Sequence, residues 1–144
     1  MKNTVFYADD DLDDLDFFQV VIDELGHDVF LFLMGDDLLE AMDNPPPQAS
    51  IVFLDLNMPL RSGYEILKEL KASDNLKDIP VVILSTASDE RSLERCKELG
   101  ASFYVCKPNS MKEMKNAIHY ILNIDWKNPP EEFLYCHAKA RQLK

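Results

Sequence analysis

Five short apolar runs recur along this chain: Val5–Ala8, Val29–Leu33, Ile51–Leu54, Val81–Leu84 and Phe103–Cys106. Their starts lie 24, 22, 30 and 22 residues apart. None alternates strictly between apolar and polar, which fits strands covered on both faces of a parallel sheet. The gaps are too long for hairpins, and each is long enough for a crossover helix.

The gaps carry helical patterns. Leu15, Phe18, Ile22 and Leu25 share one face of a first helix, which Gly26 stops. A short second helix runs over about Asp36–Met42 and ends before Pro45-Pro46-Pro47. Ile66, Leu67 and Leu70 mark a third helix opening after Ser62-Gly63. A fourth spans about Asp89–Leu99 with Ser88 as its N-cap, and its apolar stripe is only Leu93, Cys96 and Leu99. Met114, Ile118, Ile121 and Leu122 mark a fifth, capped by Ser110. The thin stripe makes the fourth helix the least firmly anchored. Alternation five times over predicts an α/β domain, a doubly wound parallel sheet with helices on both faces. A length of 144 residues suits one such domain. We place it at residues 1–124, with 125–144 as a C-terminal tail. In that tail Glu131-Glu132 and Lys139, Arg141 and Lys144 suit the two ends of a short helix.

Charge is unevenly distributed. The net charge is −11, which argues against a nucleic-acid or anionic-membrane surface. Residues 1–55 hold 14 acidic residues against Lys2, whereas residues 56–144 hold 12 acids and 14 bases. Three cysteines without CxxC spacing support neither a disulfide framework nor a zinc site. Cys106, inside an apolar run, reads as a small core residue. The N-terminus lacks a signal-peptide pattern, and no apolar stretch nears the ~18 residues needed to span a bilayer. A cytoplasmic chain is expected.

In open parallel sheets, ligands lie beyond the carboxyl ends of the strands. Asp9-Asp10 follow the first run, Asp55 the third, Ser85-Thr86 the fourth and Lys107-Pro108 the fifth. Only the second run ends without chemistry. Carboxylates gathered at one edge repel one another unless a cation sits among them, and hard oxygen ligands suit Mg²⁺. Adding a lysine and a hydroxyl completes an inventory for phosphoryl transfer, with Asp55 as the natural nucleophile. If strands one, three, four and five share this site, the silent second strand goes to the edge. Right-handed crossovers then give the order 2-1-3-4-5.

Four segments carry a resemblance. They are Val5-Phe6-Tyr7-Ala8-Asp9-Asp10-Asp11, Asp55-Leu56-Asn57-Met58-Pro59-Leu60-Arg61-Ser62-Gly63, Pro80-Val81-Val82-Ile83-Leu84-Ser85-Thr86-Ala87 and Gly100-Ala101-Ser102-Phe103-Tyr104-Val105-Cys106-Lys107-Pro108. In this order and spacing the chain resembles the receiver domain of two-component response regulators over about residues 2–124. The stand-alone, chemotaxis-receiver-like members are the nearest in kind. The resemblance implies a flavodoxin-like (βα)5 fold. It implies that Asp55 accepts a phosphoryl group from a histidine kinase or phosphotransfer protein. It implies direct Mg²⁺ ligation by Asp10 and Asp55, help from Asp9 through water, and a main-chain carbonyl from Asn57. Lys107 would contact the phosphoryl oxygens, Thr86 would turn its hydroxyl onto them, and Tyr104 would swing inward behind it. Ser85 offers the same hydroxyl one position earlier, though alignment on Ala87 favours Thr86. The family also implies a cis peptide at Lys107–Pro108 and a dimer surface on the fourth helix, fifth strand and fifth helix.

Plainer roles stand beside these. Asp11, Asp13, Asp14 and Asp16 read as charges opening the first helix. His27, His119 and His137 sit at no strand end, and Trp126 reads as a cover over the sheet end or last helix. The expected function is a phospho-accepting switch that signals to a downstream protein target by contact. Two alternatives are a receiver-fold scaffold that is never phosphorylated and a haloacid dehalogenase-type phosphatase. The phosphatase needs an aspartate two places after its nucleophile, where this chain has Asn57.

Overall fold

A computed structural model describes residues 2–135. The first strand, β1 (Thr4–Ala8), leads into helix α1 (Leu12–Leu25). Strand β2 (Asp28–Phe32) and α2 (Gly35–Met42) follow, then β3 (Ile51–Leu54) and α3 (Gly63–Ala72). Next come β4 (Val81–Ser85), α4 (Glu90–Glu98), β5 (Phe103–Cys106), α5 (Met111–Leu122) and β6 (Leu134–Tyr135). The sheet order is β2-β1-β3-β4-β5-β6, and every pairing is parallel.

Strand residues alternate between two cores. Val5 and Tyr7 of β1 join Phe18 and Ile22 of α1 and Ala117 and Ile118 of α5. Phe6 and Ala8 join Leu38 of α2, Ile66 and Leu70 of α3 and Cys96 of α4. The central strands are buried on both faces, as expected. Strand β2 is not, because it lies at the sheet edge; Phe30 is 40% exposed.

Local chemistry sets the helix ends. Asp11 caps α1 through the amides of Asp13 and Asp14, and Gly26 closes it at φ 83°, where a side chain would be strained. Ser62 and Ser110 cap α3 and α5. The cap of α4 is Asp89 rather than Ser88: its carboxylate accepts from the Ser92 amide at 3.1 Å and the Ser92 hydroxyl at 2.9 Å. An ionised carboxylate satisfies two donors there and suits the helix dipole. Only Cys96 of α4 is buried, so the thin anchoring inferred from its stripe is present.

The tail departs from expectation. Instead of beginning a helix after Glu131-Glu132, the chain extends into β6 and makes a sixth strand. The open edge of β5 explains this: the Tyr104 amide donates to the Phe133 carbonyl at 2.8 Å. Leu134 then packs toward one core and Tyr135 toward the other. Trp126 packs against the α1/α5 core as expected. Residues 136–144, including His137, Lys139, Arg141 and Lys144, lie outside the described residues. Among the described residues the cis bonds are Pro45–Pro46 and Pro46–Pro47; Lys107–Pro108 is trans, against the family expectation. The cis-trans difference before proline is about 0.5–1 kcal/mol, small enough for local packing to decide. Cys106 is half-buried rather than fully in the core, because it ends its strand at the sheet margin.

Candidate functional site

Backbone bonds that continue past the strand ends fix the site. The Asp9 amide donates to the Phe32 carbonyl and the Asp55 amide to the Ala8 carbonyl, both at 3.0 Å. The Lys107 amide donates to the Ser85 carbonyl at 2.8 Å. Each side chain is therefore carried by the sheet rather than by a free loop. Gly63 permits the close return of the chain after Asp55: a Cβ there would lie 2.2 Å from the Asp55 carbonyl oxygen.

Asp9, Asp10 and Asp55 each present one carboxylate oxygen within 4.8 Å of the others. Asp9 is fully buried and Asp55 is 5% exposed, while Asp10 faces solvent. Burial pushes the Asp55 carboxyl up to about 6, against the pull of Lys107 and with a further push from Asp9. The Asn57 amide donates to the Asp55 carboxylate and favours its charged form. Three acidic groups in this space carry more negative charge than nearby Lys107 neutralises. The hard oxygen donors and this excess charge fit a divalent cation held by Asp9, Asp10 and Asp55.

Lys107 reaches across from β5. Its ammonium donates to Asp9 Oδ2 and to Asp14 Oδ2, each at 2.8 Å, and stands 3.7 Å from Asp55 Oδ1. Burial works against its charge, but the hydrogen bonds it donates to Asp14 and Asp9 outweigh it and hold its pKa above the ordinary lysine range. Asp14 is thus more than a helix-start charge. Tyr7, unremarked in the sequence beyond its place in β1, donates its hydroxyl to Asp9. Burial first, and then Asp9, drive the Tyr7 hydroxyl far above the ordinary tyrosine range. Both residues carried a readable signal: Asp14 lies on α1 beside the strand end, and Tyr7 shares Asp9's side of β1.

The two candidate hydroxyls differ in burial. Strand β4 extends one residue past its apolar run, so Ser85 is fully buried at its end and Thr86 is exposed beyond it. By alternation Ser85 shares the face of Val81 and Ile83, where Tyr104 also packs. Tyr104 is already inward and fully buried, donating its hydroxyl to the Ala87 carbonyl at 2.7 Å. Burial pushes that hydroxyl above the ordinary tyrosine range, against a hydrogen bond with Ser85. Neither His27 nor His119 joins the site. His27 Nδ1 accepts from the Asn3 amide at 2.8 Å, and burial lowers its pKa.

An open parallel sheet with acids, an ammonium and a hydroxyl gathered over its carboxyl edge defines a class of phosphate- and metal-binding switches. Comparison with known proteins gives the family: residues 5–119 match the response regulator receiver domain. The chain belongs to that family, whose members are phospho-accepting switches rather than catalytic enzymes. It is similar to the two-component response regulator ORR5 of Oryza sativa subsp. japonica, 44% identical over 88 residues, 61% of this chain and 65% of that protein. Among solved structures, a receiver domain from Rhodospirillum rubrum is 30% identical with a TM-score of 0.72, covering 82% of this chain and 89% of that one. The Mn²⁺-bound form of response regulator Rcp1 shares the fold at a TM-score of 0.75 and 24% identity, covering 89% and 99%. The chain spans about two-fifths to two-thirds of the length of the curated relatives it matches. Among the described residues no helix is long and apolar enough to cross a membrane.

Proposed function

We propose that this chain acts as the phospho-accepting receiver of a response regulator in a two-component phosphorelay. Asp55 takes a phosphoryl group from the phosphohistidine of a histidine kinase or phosphotransfer protein. An Asp55 carboxylate oxygen attacks phosphorus in line, the P–N bond breaks, and the imidazole leaves with its electron pair and is protonated. The observation that carries this reading is the convergence of buried Asp55 with Asp9, Asp10 and Lys107 at the sheet edge.

Mg²⁺, when bound, would neutralise the acidic cluster and the developing charge on the phosphoryl oxygens. Asp10 and Asp55 would be direct ligands, Asp9 would act through water, and the Asn57 carbonyl would complete the protein's set. The Mn²⁺-bound Rcp1 supports a divalent ion on this fold. Lys107, 3.7 Å from Asp55 Oδ1, compensates the phosphoryl charge. Ser85 is the better-placed hydroxyl donor, since it is buried on Tyr104's face while exposed Thr86 is not. The phosphoryl group favours one of two arrangements around Ser85, Tyr104 and α4. Because β6 pairs with the outer edge of β5, the surface of α4, β6 and α5, rather than of α4, β5 and α5, then meets a downstream protein or a second copy. Direct transfer from a phosphorylated histidine phosphotransfer protein tests the donor. Label should move to the wild type and not to Asp55→Asn; equal labelling of both would refute the assignment.

A further inference from the structure

Lys107 is shared between two parts of the fold. Its ammonium gives two hydrogen bonds of 2.8 Å to Asp9 and Asp14, while Asp55 stands further off at 3.7 Å. Asp9 is fully buried and also receives the Tyr7 hydroxyl and the Asp11 amide at 3.0 Å. That contact is fixed by the core. The Asp14 side chain is 40% exposed and sits in the first turn of α1. The α1 backbone holds it there, because the Asp14 amide is bound to the Asp11 cap. Asp14 is thus a second, more yielding anion that pulls the ammonium toward α1 and away from the nucleophile.

We propose that Asp14 is a positioning residue that sets how readily Lys107 engages a phosphoryl group on Asp55. This rests on the phospho-acceptor reading above. An ammonium has three N–H donors. Asp9 and Asp14 hold two of them at 2.8 Å, so bringing the ammonium closer to a phosphoryl group on Asp55, now 3.7 Å away, strains the Asp14 contact, since the Asp9 contact is locked by its other partners. The Asp14 contact is the one that lengthens or breaks when Lys107 turns to the phosphoryl oxygens. Asp14 therefore acts as a brake on transfer, acting through Lys107 rather than touching the reacting atoms.

The test measures phosphorylation rate against the concentration of a small acyl phosphate in Mg²⁺. Four proteins are compared: wild type, Asp14→Asn, Asp13→Asn and Lys107→Ala, with the double variant Asp14→Asn/Lys107→Ala as a fifth. Asp13→Asn removes the same charge from an exposed neighbour in the same turn. Asp14→Asn should raise the maximal rate about two- to fivefold, the scale of a partly exposed ion pair. It should leave the half-saturating donor concentration nearly unchanged. Asp13→Asn should change the maximal rate less than twofold, and the Asp14 effect should vanish in the Lys107→Ala background. No gain with Asp14→Asn, an equal gain with Asp13→Asn, or a gain that persists without Lys107 would each overturn the proposal. A wild type that takes up no phosphoryl group fails the underlying reading, and that failure is visible before any variant is compared.

Discussion

Asp55 pairs two requirements that conflict. It must ionise to act as a nucleophile, yet burial and Asp9 hold its carboxyl up near about 6 against an ordinary 3.8. The folded protein thus binds this proton more tightly than the unfolded chain. Without a divalent cation, the stability linked to Asp55 is fully present below about 3.8 and is lost as pH rises through about 6. Asp55→Asn should accordingly be more stable than wild type at pH near 7.5 in chelator, by about 1–3 kcal/mol. Urea unfolding measures this, and added Mg²⁺ should narrow the gap by stabilising wild type more. A less stable Asp55→Asn would show that the carboxylate is already well compensated. The hydroxyl gives a second residue-level test. Ser85→Ala should abolish phosphorylation-dependent change in Tyr104 fluorescence or side-chain resonances, while Thr86→Ala should leave it. Alignment on Ala87 favours Thr86, although both hydroxyls lie at the end of one apolar run. Burial separates them, and burial depends on where β4 stops.

Among the elements, the β3–α3 return and α4 mark opposite extremes of rigidity. Gly63 has no room for a methyl group against the Asp55 carbonyl, so Gly63→Ala should destabilise the fold by about 2 kcal/mol or more. Thermal unfolding with and without Mg²⁺ checks this, and a loss below a few tenths would mean the return relaxes freely. Helix α4 buries only Cys96, whose thiol burial pushes up to about 12. Its Leu93 and Leu99 only partly pack. Hydrogen exchange over residues 88–100 should change most on phosphorylation; a larger change in α1 would put the moving element elsewhere. Helix faces were legible from apolar spacing, because Leu15, Phe18 and Ile22 have nowhere to go but a core. The α4 cap was not, since Ser88 and Asp89 are both good caps and backbone geometry chooses between them.

At the scale of the whole molecule, strand order followed from the demand that four strand ends share one site. The sixth strand did not, because Leu134-Tyr135 is too short and too close to prolines to announce itself. Its place depends on an unpaired edge on β5, which only the assembled sheet creates. Likewise the Lys107–Asp14 contact joins residues 93 apart in sequence, which no local pattern could reveal. Removing residues 128–144 should cost about 1–3 kcal/mol, since the core-packed side chains of Phe133, Leu134 and Tyr135 and the Tyr104–Phe133 bond are lost. Chemical unfolding reads that cost, and phosphoryl uptake should persist. An unfolded truncation would make β6 part of the obligatory core. Part of the early concentration of acids gathers at the sheet edge: Asp9, Asp10 and Asp55 form a cluster that could hold a divalent ion, and Asp14 joins Asp9 around Lys107. The most direct measurement of the central claim is intact mass after incubation with Mg²⁺ and a small acyl phosphate. The account predicts one added phosphoryl group on wild type, not formed when chelator is present from the start and absent from Asp55→Ala. No adduct on wild type, or an equal adduct on Asp55→Ala, would contradict it.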